Sequence, residues 1–184
     1  MKAKTILDAT RQHLDSTWTS SLKQITSKYA ALAAYKPYGI TFAESIGRIP
    51  FKIVPVGEGK NGSVLMHLEN STINDSIADI TFDTGAGVNM ISDSLARHFN
   101  LIPIDGYVTA AGVGQRTGQY AIAKEIKIGN ITVSDVPFVI IDFKTGNDKA
   151  DLFTHHFSII LGSELMLQLK DVTLDFTNKE ITVP

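Results

Sequence analysis

Apolar residues near the start of the chain recur with a helical period. Leu7, Leu14, Trp18, Leu22, Ile25, Tyr29 and Leu32 are separated by 7, 4, 4, 3, 4 and 3 positions, which keeps them on one face. The spacing predicts a helix over about residues 4–34, capped by Thr5 or Asp8 and ended by Pro37 and Gly39. Such a stripe packs on the rest of the chain or on a second copy. From residue 49 the pattern changes to short apolar runs broken by turn residues, at 51–56, 63–68, 77–82, 107–111, 119–128, 131–141, 158–161, 172–176 and 180–183. Many short strands at regular spacing predict a mostly β, closed or sandwich-like domain. Gly129-Asn130 between two runs predicts a tight hairpin. Short helices are expected over 92–99 and 163–169. The chain thus divides into an N-terminal helical extension, 1–45, and a β domain, 46–184.

Composition narrows the function classes. The 184 residues are 43% hydrophobic and 20% charged, typical of globular proteins and sufficient for one domain with an appendage. With 17 Lys and Arg against 19 Asp and Glu, the net charge of -2 gives no general attraction to nucleic acid or anionic membranes. The absence of cysteine excludes disulfides, thiolate metal sites and a Cys nucleophile. No apolar run reaches the roughly 18 residues of a membrane span. No basic-then-apolar leader opens the chain, so the residues fit a cytoplasmic protein or one exported with its signal segment removed.

The chemistry concentrates in residues 77–92. An apolar run ends in Asp83, and Thr84, Gly85, Ala86 and Gly87 follow at once, before a second apolar run that leads into a helix. A carboxylate at the end of a buried strand needs hydrogen-bond donors around it. Gly85 allows a turn tight enough to aim its own N–H at that carboxylate. Ala86 and Gly87 leave space beside it for a ligand or another chain, and Thr84 adds a hydroxyl able to bond across a symmetric interface. Read without context, such an Asp can equally cap a turn. Further along, residues 157–161 form an apolar run broken only by Ser158, which ends at Gly162 and an amphipathic helix.

Asp83-Thr84-Gly85-Ala86, followed by an apolar residue, Ile91 and Ser92, together with Ile160-Leu161-Gly162 and a helix some 75 residues on, resembles the retropepsin-like aspartic proteases, the bacterial members above all. The resemblance spans about residues 49–184. It implies a single-lobed acid-protease β-barrel, an aspartic endopeptidase without metal or cofactor, and a peptide or protein substrate. It implies that Asp83 is the catalytic aspartate, that the Thr84 hydroxyl locks two active-site loops together, and that the Gly85 amide contacts the carboxylate. Ile160, Leu161 and Gly162 take the positions that pack beneath that loop. Residues 107–120, with Gly112, Val113 and Gly114 at their centre, resemble the flap that closes over substrate. Ala86, Gly87, Leu161 and the flap tip then border the substrate. Retroviral members carry substrate-binding acidic residues where this chain has Gly87 and Val88.

Hydrolysis at such a site needs two carboxyls sharing a proton, and the chain holds a single Asp-Thr-Gly and no Asp-Ser-Gly. Asp79 lies too far along the same strand to pair with Asp83, and Asp175 reads as a solvated turn residue. A two-fold homodimer with Asp83 of each copy on the axis meets the requirement. The alternatives are an inactive binding or scaffolding module on the same fold, or a precursor awaiting removal of its N-terminal helix. Gly57-Glu-Gly59-Lys-Asn-Gly62 spells a dinucleotide fingerprint, but a strand follows where that motif needs a helix. His155-His156 diverge on either a strand or a helix, and Asp142, Asp148 and Asp151 lack the order of a calcium loop.

Overall fold

Along Ile131–Ile141 the residues Ile131, Val133, Val136, Phe138 and Val139 are all buried, and the apolar alternation that marks this run is what folds it into the middle of a large curled sheet. A computed structural model of the chain describes residues 38–56, 63–112, 114–143, 158–169 and 171–184. The expected N-terminal helix, the 57–62 loop, Val113, Asp148, Asp151 and the His155-His156 pair lie outside them.

Thirteen strands and two short helices occur among the described residues. They are β1 (Gly39–Phe42), β2 (Gly47–Val56), β3 (Ser63–Leu68), β4 (Ser71–Ile73), β5 (Ser76–Ile77), β6 (Ile80–Phe82), β7 (Met90–Ser92), α1 (Asp93–His98), β8 (Ile102–Gly112), β9 (Gly114–Ile128), β10 (Ile131–Ile141), β11 (Ile159–Leu161), α2 (Ser163–Leu169), β12 (Thr173–Asp175) and β13 (Glu180–Val183). The sheet runs β12-β13-β2-β3-β6-β11-β7-β10-β9-β4-β5, with β1 added to β10 and β8 to β9. This is the mostly β architecture that the sequence predicts. Residues 57–62, which spell the fingerprint, fall in sequence between β2 and β3, and those two strands pair antiparallel from Val56↔Ser63 onward, so a strand and not a helix follows the motif.

Two differences from the expected elements have physical causes. Strand β1 pairs antiparallel with β10 from Gly39↔Ser134 to Phe42↔Ile131, so the sheet takes in residues that the sequence assigns to the extension. Its four residues follow Pro37 and are too short to show a period of two. Strands β8 and β9 extend well beyond the apolar runs, because backbone pairing carries the Gly, Thr, Gln and Arg residues from Tyr107↔Gln119 to Gly112↔Gly114. The Gly129-Asn130 hairpin forms as expected between β9 and β10. Gly129 has φ +57, and a Cβ there would stand 1.9 Å from the Arg48 carbonyl oxygen, so glycine alone fits.

The main core joins Ile49 and Phe51 of β2, Ile80 and Phe82 of β6, Phe138 of β10, Leu161 of β11 and Leu165 of α2. A smaller cluster of Ile104, Tyr120, Ile122, Val139 and Ile141 lies at the base of the β8–β9 hairpin, and Val88 and Met90 pack against it.

Candidate active site

The three short strands around Asp83 are each too brief to hold themselves, and each is fixed by the others. Strand β11 runs parallel to β6, with Ile160↔Thr81 and Leu161↔Phe82, and antiparallel to β7, with Ile159↔Ile91 and Ile160↔Met90. It therefore lies between the strands that lead into and out of residues 83–89. The chain leaves β6, crosses the end of β11 and returns as β7. All of β6 and β11 is buried, which explains the unbroken apolar sequence of β11; the one polar side chain of the two strands, Thr81, has His67 Nε2 near its hydroxyl.

Within this crossing, Asp83 is half-buried while Thr84, Gly85 and Gly87 are exposed. The Gly85 N–H donates to Asp83 Oδ1 at 2.8 Å, as the small residues predict, and the Ala86 N–H closes the turn onto the Asp83 carbonyl at 3.1 Å. A Cβ at Gly85 would meet Asp83 Oδ1 at 3.2 Å, whereas one at Gly87 would meet nothing within 4 Å. The carboxylate thus sits on a tight turn beside open space.

Three consecutive residues hold this loop at every third position. The Asp83 N–H donates to the Leu161 carbonyl at 3.0 Å. The Ser163 N–H and Oγ both donate to the Ala86 carbonyl, at 2.8 and 3.0 Å. The Gly162 N–H donates to Asn89 Oδ1 at 3.0 Å. Gly162 must be glycine, because a Cβ would stand 2.6 Å from the carbonyl oxygens of both Ala86 and Val88. The Leu161 side chain is wholly buried, so Leu161 meets the loop through its backbone carbonyl; Ala86 is buried as well.

Asn89 is the residue holding this loop that the motif reading misses. Its side chain is 0% exposed. Besides accepting from Gly162, it donates from Nδ2 to the Pro137 carbonyl at 3.0 Å and to Tyr38 Oη at 3.1 Å. Its own carbonyl accepts the Val139 N–H at 2.9 Å. The available signal was an amide set between Val88 and Met90-Ile91, because a polar residue in an apolar run is buried only when its partners are supplied.

Neither of the other two acids weighed in the sequence adjoins Asp83 through a hydrogen bond. Asp79 Oδ1 pairs with His67 Nδ1 at 2.7 Å, and His67 Nε2 lies 3.4 Å from Thr81 Oγ1. Asp175 accepts from the Thr177 and Asn178 N–H groups and from Asn178 Nδ2, at 2.9, 2.9 and 2.7 Å. Among the described residues no cluster of three or more His, Asp or Glu side chains is arranged to hold a metal ion, and no helix is long and apolar enough to cross a membrane. Gly112 and Gly114 face each other at the end of the β8–β9 hairpin.

A family model described as aspartyl protease matches residues 70–165, a little over half of the 184 residues, taking in both the Asp83 loop and β11. Among solved structures, the chain is similar to a retropepsin-like aspartic protease from Rickettsia conorii, at 13% identity and a TM-score of 0.44, over 79% of this chain and 93% of that one. No curated protein matches the sequence.

Proposed function

The chain belongs to the aspartyl protease family, and from that membership we propose that it is an aspartic endopeptidase whose active site forms when two copies bring their Asp83 carboxylates together. The observation that carries this reading is the setting of Asp83: a carboxylate fixed by the Gly85 N–H on a turn clasped from β11, with Thr84, Gly85 and Gly87 exposed around it. In a two-fold pair the same surface meets itself, so Thr84 and Gly85 of one copy face those of the other.

Two carboxyls about 3 Å apart do not both ionise and hold one proton between them. The ionised member takes a proton from water as its oxygen attacks the peptide carbonyl carbon, and the protonated member gives its proton to the carbonyl oxygen. Collapse of the tetrahedral species expels the amine, which takes up a proton, and the pair returns to its starting state. An extended peptide fits between the Asp83 turns and the β8–β9 hairpins, bonded through its backbone. One shared proton calls for a bell-shaped pH–rate profile centred below neutrality, its two limbs belonging to the pair.

Peptide cleavage measured with and without a statine-containing peptide, alongside sedimentation at the assay concentration, tests the proposal. Statine-sensitive cleavage by a dimeric species is expected. A strictly monomeric chain that cuts no peptide from pH 3 to 9 would overturn it.

A further inference from the structure

The clasp on the Asp83 loop does not end at Asn89. The phenol of Tyr38, which immediately precedes β1, accepts from Asn89 Nδ2 and donates to the carboxylate of Glu164, in the first turn of α2. Asn89 and Glu164 flank Gly162 and Ser163, the residues that hold Asn89 and Ala86. One hydroxyl therefore spans both sides of the clasp. Burial and the neighbouring Glu164 charge hold the phenol well above the usual tyrosine range, so it remains a protonated donor across the working pH of any peptidase.

Tyr38 also adopts φ +66, a left-handed conformation that bulky residues avoid. Strain of this kind persists where the surroundings over-determine the residue. Here they do: β1 lies against β10 directly after it, and its ring packs against the main core. The chain accepts an unfavourable backbone at the one position that delivers the hydroxyl to Asn89.

We infer that Tyr38 is a positioning residue for the Asp83 loop, acting through Asn89 and Gly162, an inference that rests on the assignment of Asp83 as the catalytic acid. Without the hydroxyl, Asn89 retains a buried N–H with no acceptor and Glu164 loses a donor. Asn89 then loosens its hold on Gly162, and the turn that carries Asp83 loses its fixed position relative to the second carboxylate. Ring packing is untouched in Tyr38→Phe, so the substitution isolates the hydroxyl.

The test compares full-length wild type, Tyr38→Phe, Glu164→Ala and Glu164→Gln by amide hydrogen exchange and by peptidase kinetics. In Tyr38→Phe, exchange at the Asp83, Gly162 and Ser163 amides is expected to accelerate on the order of tenfold, the cost of one buried unpaired donor. The Ile126 and Val133 amides of the β9–β10 core are expected to keep their wild-type rates. In the kinetics, kcat falls by a similar factor at unchanged KM, because substrate contacts are intact and the acid is misplaced. Glu164→Ala moves in the same direction, and Glu164→Gln, which keeps an acceptor for the phenol, restores wild-type behaviour. Unchanged exchange at the three loop amides would overturn the inference. So would acceleration that is uniform through the sheet, which marks a general loss of stability. Wild type without Asp83-dependent cleavage would sink the protease reading instead, and the exchange rates would still judge the tie between Tyr38 and the loop.

Discussion

Asn89 and Gly162, 73 positions apart, are joined by a 3.0 Å hydrogen bond from the Gly162 N–H to a side-chain oxygen that no solvent reaches. The bond fixes the far end of the Asp83 loop to the end of β11, while the Asp83 N–H fixes the near end to Leu161, the residue before. A seven-residue crossing anchored at both ends on adjacent residues has little freedom left. Precision of this kind is what a shared-proton site requires, since carboxyl separation sets how strongly the two titrations are coupled.

Asn89→Ala is therefore expected to destabilise the fold. It strands the Gly162 N–H and the Pro137 carbonyl, both served by Asn89. Leaving buried backbone groups unsatisfied costs about 1–3 kcal/mol. Urea denaturation followed by far-ultraviolet circular dichroism should show a lower midpoint at an unchanged slope. A wild-type midpoint would show that the Asn89 amide holds nothing.

Gly162→Ala tests the opposite fault, excess volume at the same place. The new methyl would stand 2.6 Å from two carbonyl oxygens, those of Ala86 and Val88, and neither can swing aside without moving the Asp83 loop. Overpacking of this sort costs about 1–3 kcal/mol. Thermal unfolding is expected to shift downward, and peptidase activity to fall more than stability explains, because relief of the clash displaces the turn that carries Asp83. Activity equal to wild type at 25 °C would contradict the close fit.

How far these relationships could be read from the residues depends on their range. Asp83-Thr84-Gly85 encodes its own turn, since donor and acceptor lie two positions apart, and the sequence alone anticipates the Gly85 contact. The apolar run of β11 announces burial, and the Gly129-Asn130 hairpin and the helix at α2 are legible from local chemistry. Nothing local states that Leu161 lies parallel to Phe82, or that Ser163 reaches Ala86 across 77 positions. Tyr38 was hidden for a different reason. Next to Pro37 and Gly39 it reads as the end of a helix, and only β1 pairing with β10 brings its hydroxyl beneath the loop.

The turn between β12 and β13 carries a pH-dependent share of stability. The Asp175 carboxyl is held below its ordinary 3.8, mainly by the Asn178 N–H and side-chain amide, with the Thr177 N–H adding to them. A depressed folded-state value means the contribution is present above the unfolded value and is lost as pH falls through the folded one. Asp175→Ala is expected to lower the melting temperature near neutrality and to approach wild type as pH falls below 3.8. Melting curves from pH 2 to 7 check this. A gap that widens on acidification would reverse the sign and refute the account.

The proposed sharing of one site between two copies makes a quantitative prediction for mixed subunits. Asp83→Asn replaces an acid by an amide that cannot exchange the proton, and removing a general acid–base group costs about 10²–10⁴-fold in rate. The variant should keep the wild-type circular dichroism, because Asn still offers an oxygen to the Gly85 N–H that holds Asp83 Oδ1 at 2.8 Å. If each copy supplies half the site, subunits re-equilibrated in equal amounts form wild-type pairs in about one quarter of dimers, and activity per wild-type chain falls to about half. A chain complete in itself gives full activity per wild-type chain in the same mixture. Titrating wild type with Asp83→Asn at fixed total concentration distinguishes a quadratic from a linear fall in rate. A linear fall would remove the dimeric active site.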